Sequence, residues 1–341
     1  MDITIYIVAG IIVLLLASIG AFYYWNNRNK EIGTKTKFSI FNIQRAGFDK
    51  PISGILLGDG EGDKYDRVNT TGLVTGRDVM ILVPNANSAK PYNAAVPTPF
   101  LMYHHGSSET YSSLLDDALK TTTVDALLDA GYICAGISAG ATNWGNQDAC
   151  DAYEDLYNTV KASYNISHVL FLSQSMGGMT GLVCLAQQNV PYVIAWAGIY
   201  PACNLTKIYA SSPFTGDINT AYSCNSIPSC AIAYAGHDPC LFTYDAYRSV
   251  SMRFYASEGD TSVIKADNTD VFQAIVAGTR PESDIVVCTG NHGDVSHFQP
   301  ADLVAFYERN IGYQIRSEGN VPTQWFATNI RHGGRNGGRR R

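Results

Sequence analysis

Charge is scarce in this chain of 341 residues: Asp, Glu, Lys and Arg make up 16% of it, against 46% hydrophobic and 11% aromatic residues. That balance excludes an intrinsically disordered protein and supplies enough apolar material for a real core. No residue type dominates and no fixed-period repeat runs through the sequence, which excludes collagen-like, coiled-coil and solenoid architectures. There is no C-x-x-C pair and no H-E-x-x-H run, so a structural or catalytic zinc site has no support. A phosphate loop is missing too, because Gly177, Gly178 and Gly181 lack the lysine that such a loop needs. Asp59-Gly60-Glu61-Gly62-Asp63 resembles the opening of a calcium loop. Lys64, however, stands where the loop glycine belongs, and no Glu occupies the twelfth position.

What charge there is lies unevenly. The net charge is −6, yet the last eleven residues carry five arginines (331, 335, 339, 340 and 341) and no acid. Removing those five from the 24 basic residues leaves 19 against 30 acidic ones, so the rest of the chain stands at −11. An acidic body argues against a dedicated nucleic-acid-binding protein, since phosphate contacts need a positive field. Only the Gly-spaced, Arg-rich tail offers a contact for RNA, DNA or anionic lipid, and a solvated tail is the simpler reading.

The opposite end is apolar. Residues 3–25 contain no charged side chain, long enough at 1.5 Å per residue to cross a hydrocarbon core of about 30 Å. Tyr23, Tyr24 and Trp25 cluster at its exit, where amphipathic aromatics settle at headgroup level. The run exceeds a signal-peptide core and is preceded by Asp2 rather than a basic segment, so an uncleaved single-pass anchor is expected; Ser18-Ile19-Gly20 is the rival cleavage site. Arg28, Lys30, Lys35 and Lys37 follow the span, and the positive-inside rule places the body on the cytoplasmic side. Eight cysteines (134, 150, 184, 203, 224, 230, 240 and 288) pull the other way if they pair. Cys134 and Cys184 sit in apolar segments as small buried hydrophobes, whereas Cys203, Cys224 and Cys230 fall in a loop-rich stretch where pairing is conceivable. Sequons at Asn69, Asn165 and Asn204 are too common by chance to decide the matter.

Between the ends, short apolar runs alternate with helical spacing. Strands are expected at Val79–Val83, 98–103, Tyr132–Ile137, Val169–Leu172, Tyr192–Trp196, Ala231–Ala235 and Ile285–Cys288. Leu114 to Leu128, Tyr153 to Tyr164, the segment from Met176, and Leu303 to Ile311 behind Pro300 carry helical periodicity. Continuous apolar strands separated by helices predict an α/β fold with a mostly parallel sheet covered on both faces. The expected organisation is an anchor over 1–27, a juxtamembrane and N-terminal strand region over 28–74, a main α/β domain over 75–315 and an extension over 316–341. Residues 202–229, rich in Ser, Thr, Asn and Pro, interrupt the rhythm as a lid-like insertion over the C-terminal edge of the sheet.

The chemistry concentrates at strand ends. Ser173-Gln174-Ser175-Met176-Gly177-Gly178 follows one expected strand and opens a helix, the setting of a nucleophile elbow with Ser175 at its apex. Such a turn needs small residues two positions either side of the serine; here they are Ser173, a departure from glycine, and Gly177. An ordinary Ser/Gly N-cap is the bland alternative. A serine hydroxyl needs a base, and the base needs an orienting group. Asp238, in Gly236-His237-Asp238-Pro239, follows the expected strand 231–235, and His292, in Gly290-Asn291-His292-Gly293-Asp294, follows strand 285–288. His297 and Asp294 are runners-up in the same loop. Tyr103-His104-His105-Gly106-Ser107-Ser108 follows an early strand and offers backbone N–H groups to an oxyanion.

With its H-G turn, S-M-G-G elbow, G-H-D-P loop and G-N-H-G-D loop, the stretch from about 75 to 312 resembles the α/β-hydrolase superfamily, near its esterase, lipase and prolyl-oligopeptidase-like branches. The resemblance implies Ser175 as nucleophile, His292 as general base and acid, Asp238 as orienting carboxylate, Ser107 and Met176 as oxyanion donors, and no cofactor or metal. It implies a membrane-anchored serine hydrolase acting on a small-molecule or lipid-derived ester or thioester, ahead of a peptidase or a non-catalytic binding module of the same fold. Oligomeric state and acyl-chain preference have no signature in the sequence.

Overall fold

The computed structural model describes residues 55–57, 63–211, 213–278 and 283–319. The apolar run 3–25 and the Arg-rich tail lie outside the described residues, as does the 59–62 part of the calcium-like stretch. Among the described residues no helix is long and apolar enough to cross a membrane.

Among the described residues nine strands form one sheet in the order β1-β2-β3-β5-β4-β6-β7-β8-β9. They are β1 (Ile55–Leu57), β2 (Tyr65–Thr71), β3 (Asp78–Pro84), β4 (Thr98–His104), β5 (Ile133–Ile137), β6 (Ile166–Gln174), β7 (Val193–Ile199), β8 (Ser251–Ser257) and β9 (Ser283–Cys288). The first three run as an antiparallel meander that pairs antiparallel with β5, and every pairing from β5 through β4 to β9 is parallel. Parallel strands require crossovers, and the helices that make them cover the two faces.

Strand alternation sorts the core into two layers. Val79, Ile81 and Val83 of β3 point to one face, with Phe100, Met102, Ile133 and Phe171. That face is covered by α2 (Gln147–Ser163), α3 (Met176–Ala186) and α7 (Thr269–Val276). Met80, Leu82, Leu101, Cys134 and Leu170 point the other way, onto α1 (Ala118–Asp129) and α8 (Pro300–Gly319). Burial of each such side chain contributes on the order of 2 kcal/mol, which makes the alternation the main determinant of register. The caps fix the helix starts. Asp117 accepts from the N–H groups of Leu119 and Lys120, so α1 begins at Ala118 and leaves Leu114 and Leu115 in a single 3-10 turn. Asn146 accepts from Ala149 N–H and starts α2, which ends at Ser163, so Tyr164 lies just beyond it in extended backbone.

The chain between β7 and β8 differs from the sequence expectation in two ways. Residues 202–229 are helical rather than irregular: α4 (Leu205–Ser211), α5 (Thr215–Tyr222) and α6 (Ile227–Ala233) form a small third core over Trp144, Met176 and Met179. A disulfide joins Cys224 to Cys230 across the turn between α5 and α6, while Cys203 remains a free thiol. The run Ala231–Ala235 is the end of α6 and a turn, not a strand. Ser226 N–H donates to Ser229 Oγ and Pro228 occupies the first turn, which fixes a helix start, and Ala231, Ile232 and Ala233 are exposed. The strand in this region is β8, whose polar member Arg253 is held by Asp302 of α8 at 3.0 and 2.6 Å and by Asp284 of β9 at 3.4 Å.

Candidate active site

Ser175 sits between β6 and α3 with φ 51° and ψ −119°, a positive φ that a non-glycine residue holds only under constraint. Two close approaches explain the turn. A Cβ on Gly177 would lie 2.1 Å from the carbonyl oxygen of His104, so the helix can pass over the end of β4 only with glycine there. A Cβ on Gly181 would lie 2.5 Å from Ser173 Oγ. Gly181 thus makes the room that Ser173 takes up, and Ser173 Oγ, fully buried, meets His104 Nδ1 at 3.1 Å. Burial, reinforced by neighbouring His105, pushes the His104 imidazole down to about 3, so this ring is neutral at pH 7 and serves as a hydrogen-bonding partner.

From the apex a hydrogen-bond chain runs across the sheet edge. Ser175 Oγ lies 2.9 Å from His292 Nε2, and His292 Nδ1 lies 2.7 Å from Asp260 Oδ2. With its proton on Nδ1, the ring donates to Asp260 and leaves Nε2 to accept from the serine. Asp260 is 5% exposed; burial by itself would raise its carboxyl, but bonds from His292 and the N–H groups of Val263 and Ser262 together hold it below the ordinary carboxylate value. The loops carrying the two residues are tied to each other. Thr261 N–H and Oγ1 both meet Asn291 Oδ1, at 2.9 and 3.1 Å, and Ser257 Oγ donates to Gly290 O at 2.7 Å. Tyr200, just past β7 with φ 39°, lays its ring 4.4 Å from the His292 ring.

The structure therefore brings Ser175 and His292 together and leaves Asp238 elsewhere. Asp238 is fully buried, but its Oδ2 accepts from Thr206 N–H and Oγ1 at 2.9 and 2.7 Å, and its Oδ1 from Cys240 N–H at 3.1 Å. It fastens the start of α4 to the turn after residue 238. The carboxylate at His292 is Asp260, three residues beyond β8, and the sequence reading missed it because the strand leading to it was missed. Ser257-Glu258-Gly259-Asp260, a glycine-bearing turn ending in an acid, was the available signal. The runners-up also have other places. Asp294 caps a turn by accepting from Ser296 N–H, and His297, fully buried, meets Asp294 O at 3.0 Å through Nδ1 and packs edge-on against Tyr200.

The remaining two candidates stand at the elbow. Gly177 rests on the backbone of His104 and His105, so the turn through Gly106 and Ser107 lies alongside the start of α3. The backbone N–H groups of Ser107 and Met176 meet no acceptor among the described residues. Among the described residues no cluster of His, Cys, Asp and Glu could hold a metal ion. Chemically, such an arrangement lets a base withdraw the serine proton while a carboxylate fixes its tautomer.

No protein-family model and no curated protein matches the sequence. Solved structures do. A puromycin-hydrolyzing peptidase of Mycobacterium tuberculosis superposes with a TM-score of 0.59 at 15% identity over 74% of this chain and 40% of its own. An acylaminoacyl peptidase of Pyrococcus horikoshii gives 0.57 at 12% identity over 74% and 44%. A cold-adapted esterase from an Arctic intertidal metagenomic library gives 0.50 at 14% identity over 75% of this chain and 99% of its own. The chain thus spans about two fifths of the length of these peptidases and nearly all of the esterase. Peptidases predominate among the similar structures, and at such identities the likeness concerns the fold alone.

Proposed function

Because this chain has the α/β-hydrolase fold, we propose that it is a serine hydrolase which forms an acyl-enzyme on Ser175. The observation that carries this reading is the unbroken chain from Ser175 through His292 to Asp260 at the carboxyl ends of β6, β9 and β8. Ser175 Oγ attacks a carbonyl carbon while His292 Nε2 takes its proton; the tetrahedral oxyanion accepts from the N–H groups of Met176 and Ser107. The imidazolium, steadied by Asp260, then protonates the leaving group, and a water activated by His292 releases the acid.

An ester or thioester is the first substrate class, since its leaving group departs more readily than an amine. Peptide bonds are the second, and the preponderance of peptidases among the similar structures favours that alternative. Covalent labelling of the full chain by a fluorophosphonate tests the core of the reading. Wild type is expected to label and Ser175→Ala not to, with turnover falling about 10⁴- to 10⁶-fold. Equal labelling of both proteins sinks the assignment. A series of p-nitrophenyl acyl esters set beside aminoacyl and prolyl chromophores separates the two substrate classes.

The apolar run 3–25 supports attachment to a membrane, which suits lipid-derived esters; retention in the pellet after alkaline carbonate extraction is the expected result. The basic residues that follow the run favour the cytoplasmic side, whereas the Cys224–Cys230 disulfide suits an oxidising one. Protease protection in sealed vesicles decides between the two.

A further inference from the structure

One carboxylate ties together two parts of the site that are far apart in sequence. Glu109 lies in the loop after β4, with its side chain 20% exposed. Its Oε2 accepts the N–H of Gly106 at 2.9 Å and lies 3.0 Å from the Tyr103 hydroxyl. Its Oε1 accepts from Gln174 Nε2 at 2.9 Å and from Lys120 Nζ at 2.6 Å. Gln174 immediately precedes Ser175, and its Oε1 lies 2.6 Å from the same Tyr103 hydroxyl. Lys120, from the first turn of α1, is only 8% exposed. A cation and a carboxylate so little exposed are costly unless they are paired, and here they meet directly, with Asp117 Oδ2 3.7 Å from the same ammonium on its more exposed side.

The arrangement answers a physical need of the turn it holds. Gly106-Ser107-Ser108 is made of small residues, Ser108 has φ 63°, and a loop of that composition has many accessible backbone states. An oxyanion donor is effective only if its direction is fixed before charge develops. The carboxylate engages Gly106 N–H on one side, Ser108 N–H donates to Ala141 O at 2.8 Å on the other, and the Ser107 N–H between them is left free. A bare carboxylate so near a developing oxyanion would oppose it; the Lys120 ammonium offsets that charge.

Resting on the serine-hydrolase reading above, we propose that Glu109 is a positioning residue: its carboxylate, neutralised by Lys120, clamps the oxyanion loop to the strand end that carries Ser175.

The test uses the full-length chain as wild type, Glu109→Gln, the double variant Glu109→Leu/Lys120→Met, which leaves no unpaired buried charge, and Gln174→Leu. Four quantities are read: fluorophosphonate labelling, kcat and KM on a p-nitrophenyl ester, inhibition by an arylboronic acid, and thermal midpoint. The boronic acid accepts the Ser175 oxygen at boron while the proton passes to His292, and the resulting anion reports on the oxyanion site. The double variant is expected to lose about 10²- to 10³-fold in kcat with KM nearly unchanged, and boronate affinity should fall in step with kcat/KM. Glu109→Gln keeps one oxygen for Gly106 N–H but turns an NH2 group toward the Lys120 and Gln174 donors, so its kcat should fall between wild type and the double variant. Gln174→Leu, which unpairs no charge and keeps the question decidable if the double variant unfolds, should show the same pattern at about tenfold. Full kcat in both apolar variants overturns the proposal, as does a loss no larger than the unfolded fraction or a change confined to KM. Absence of labelling in wild type would instead sink the hydrolase reading, a separate outcome.

Discussion

Asp238 and Asp260 invite comparison, since both lie in the chain between β7 and β9, both are nearly inaccessible and both accept several hydrogen bonds. Their surroundings assign them different work. Asp238 follows α6 and fastens two pieces of the helical insertion to each other, whereas Asp260 follows a parallel strand flanked by β7 and β9 and faces an imidazole. Burial and hydrogen bonding alone do not tell the two apart. What does is the strand that delivers Asp260 to the same edge of the sheet as His292.

The widest separation between the two should appear in turnover. Asp260→Asn, which leaves Nδ1 without a carboxylate partner, is expected to lower kcat by about 10³- to 10⁴-fold, and Asp238→Asn to stay within about threefold of wild type. Steady-state rates on a p-nitrophenyl ester check this, and the reverse ranking breaks the comparison. In stability the order inverts. Asp238→Ala leaves Thr206 N–H, Thr206 Oγ1 and Cys240 N–H without their acceptor and should cost about 2–3 kcal/mol in urea unfolding. A shift of the urea midpoint no larger than that of a surface substitution would mean that the insertion does not depend on it.

The smallest effect concerns acid. The Asp260 carboxyl is held below its ordinary value of 3.8 in the folded protein, so the unfolded chain takes up that proton at higher pH than the folded one. The stabilisation is therefore present in full above about 3.8 and is lost as pH falls through the folded value. Asp260→Asn should flatten that part of the stability curve, measured by urea titration at each pH.

The same two loops show how far the sequence could be read. β3, β5, β6 and β7 are apolar along most of their length because both of their faces are covered, and such runs stand out without any knowledge of partners. Ala231–Ala235 has a similar look yet ends a helix, since a short apolar run does not separate strand from helix by periodicity. Pro228 behind Ser226 was the local sign of a helix start. β8 fails as an apolar run because of Arg253, whose charge is matched by Asp302, 49 residues further on, and by Asp284. Losing β8 meant losing Asp260. Glu109 carried no signature for a related reason: its partners at 103, 106, 120 and 174 meet only when β4 and β6 pair side by side.

By itself the sequence determined the α/β class and the strand–turn–helix at Ser175, and it pointed to His292 ahead of His297, because each depends on residues adjacent in the chain. Which carboxylate meets His292, and which side chains gather around Glu109, was decided by the tertiary structure. Those choices depend on which strands lie next to each other in the sheet, and strand neighbours are set by packing across the whole core rather than by any local run of residues.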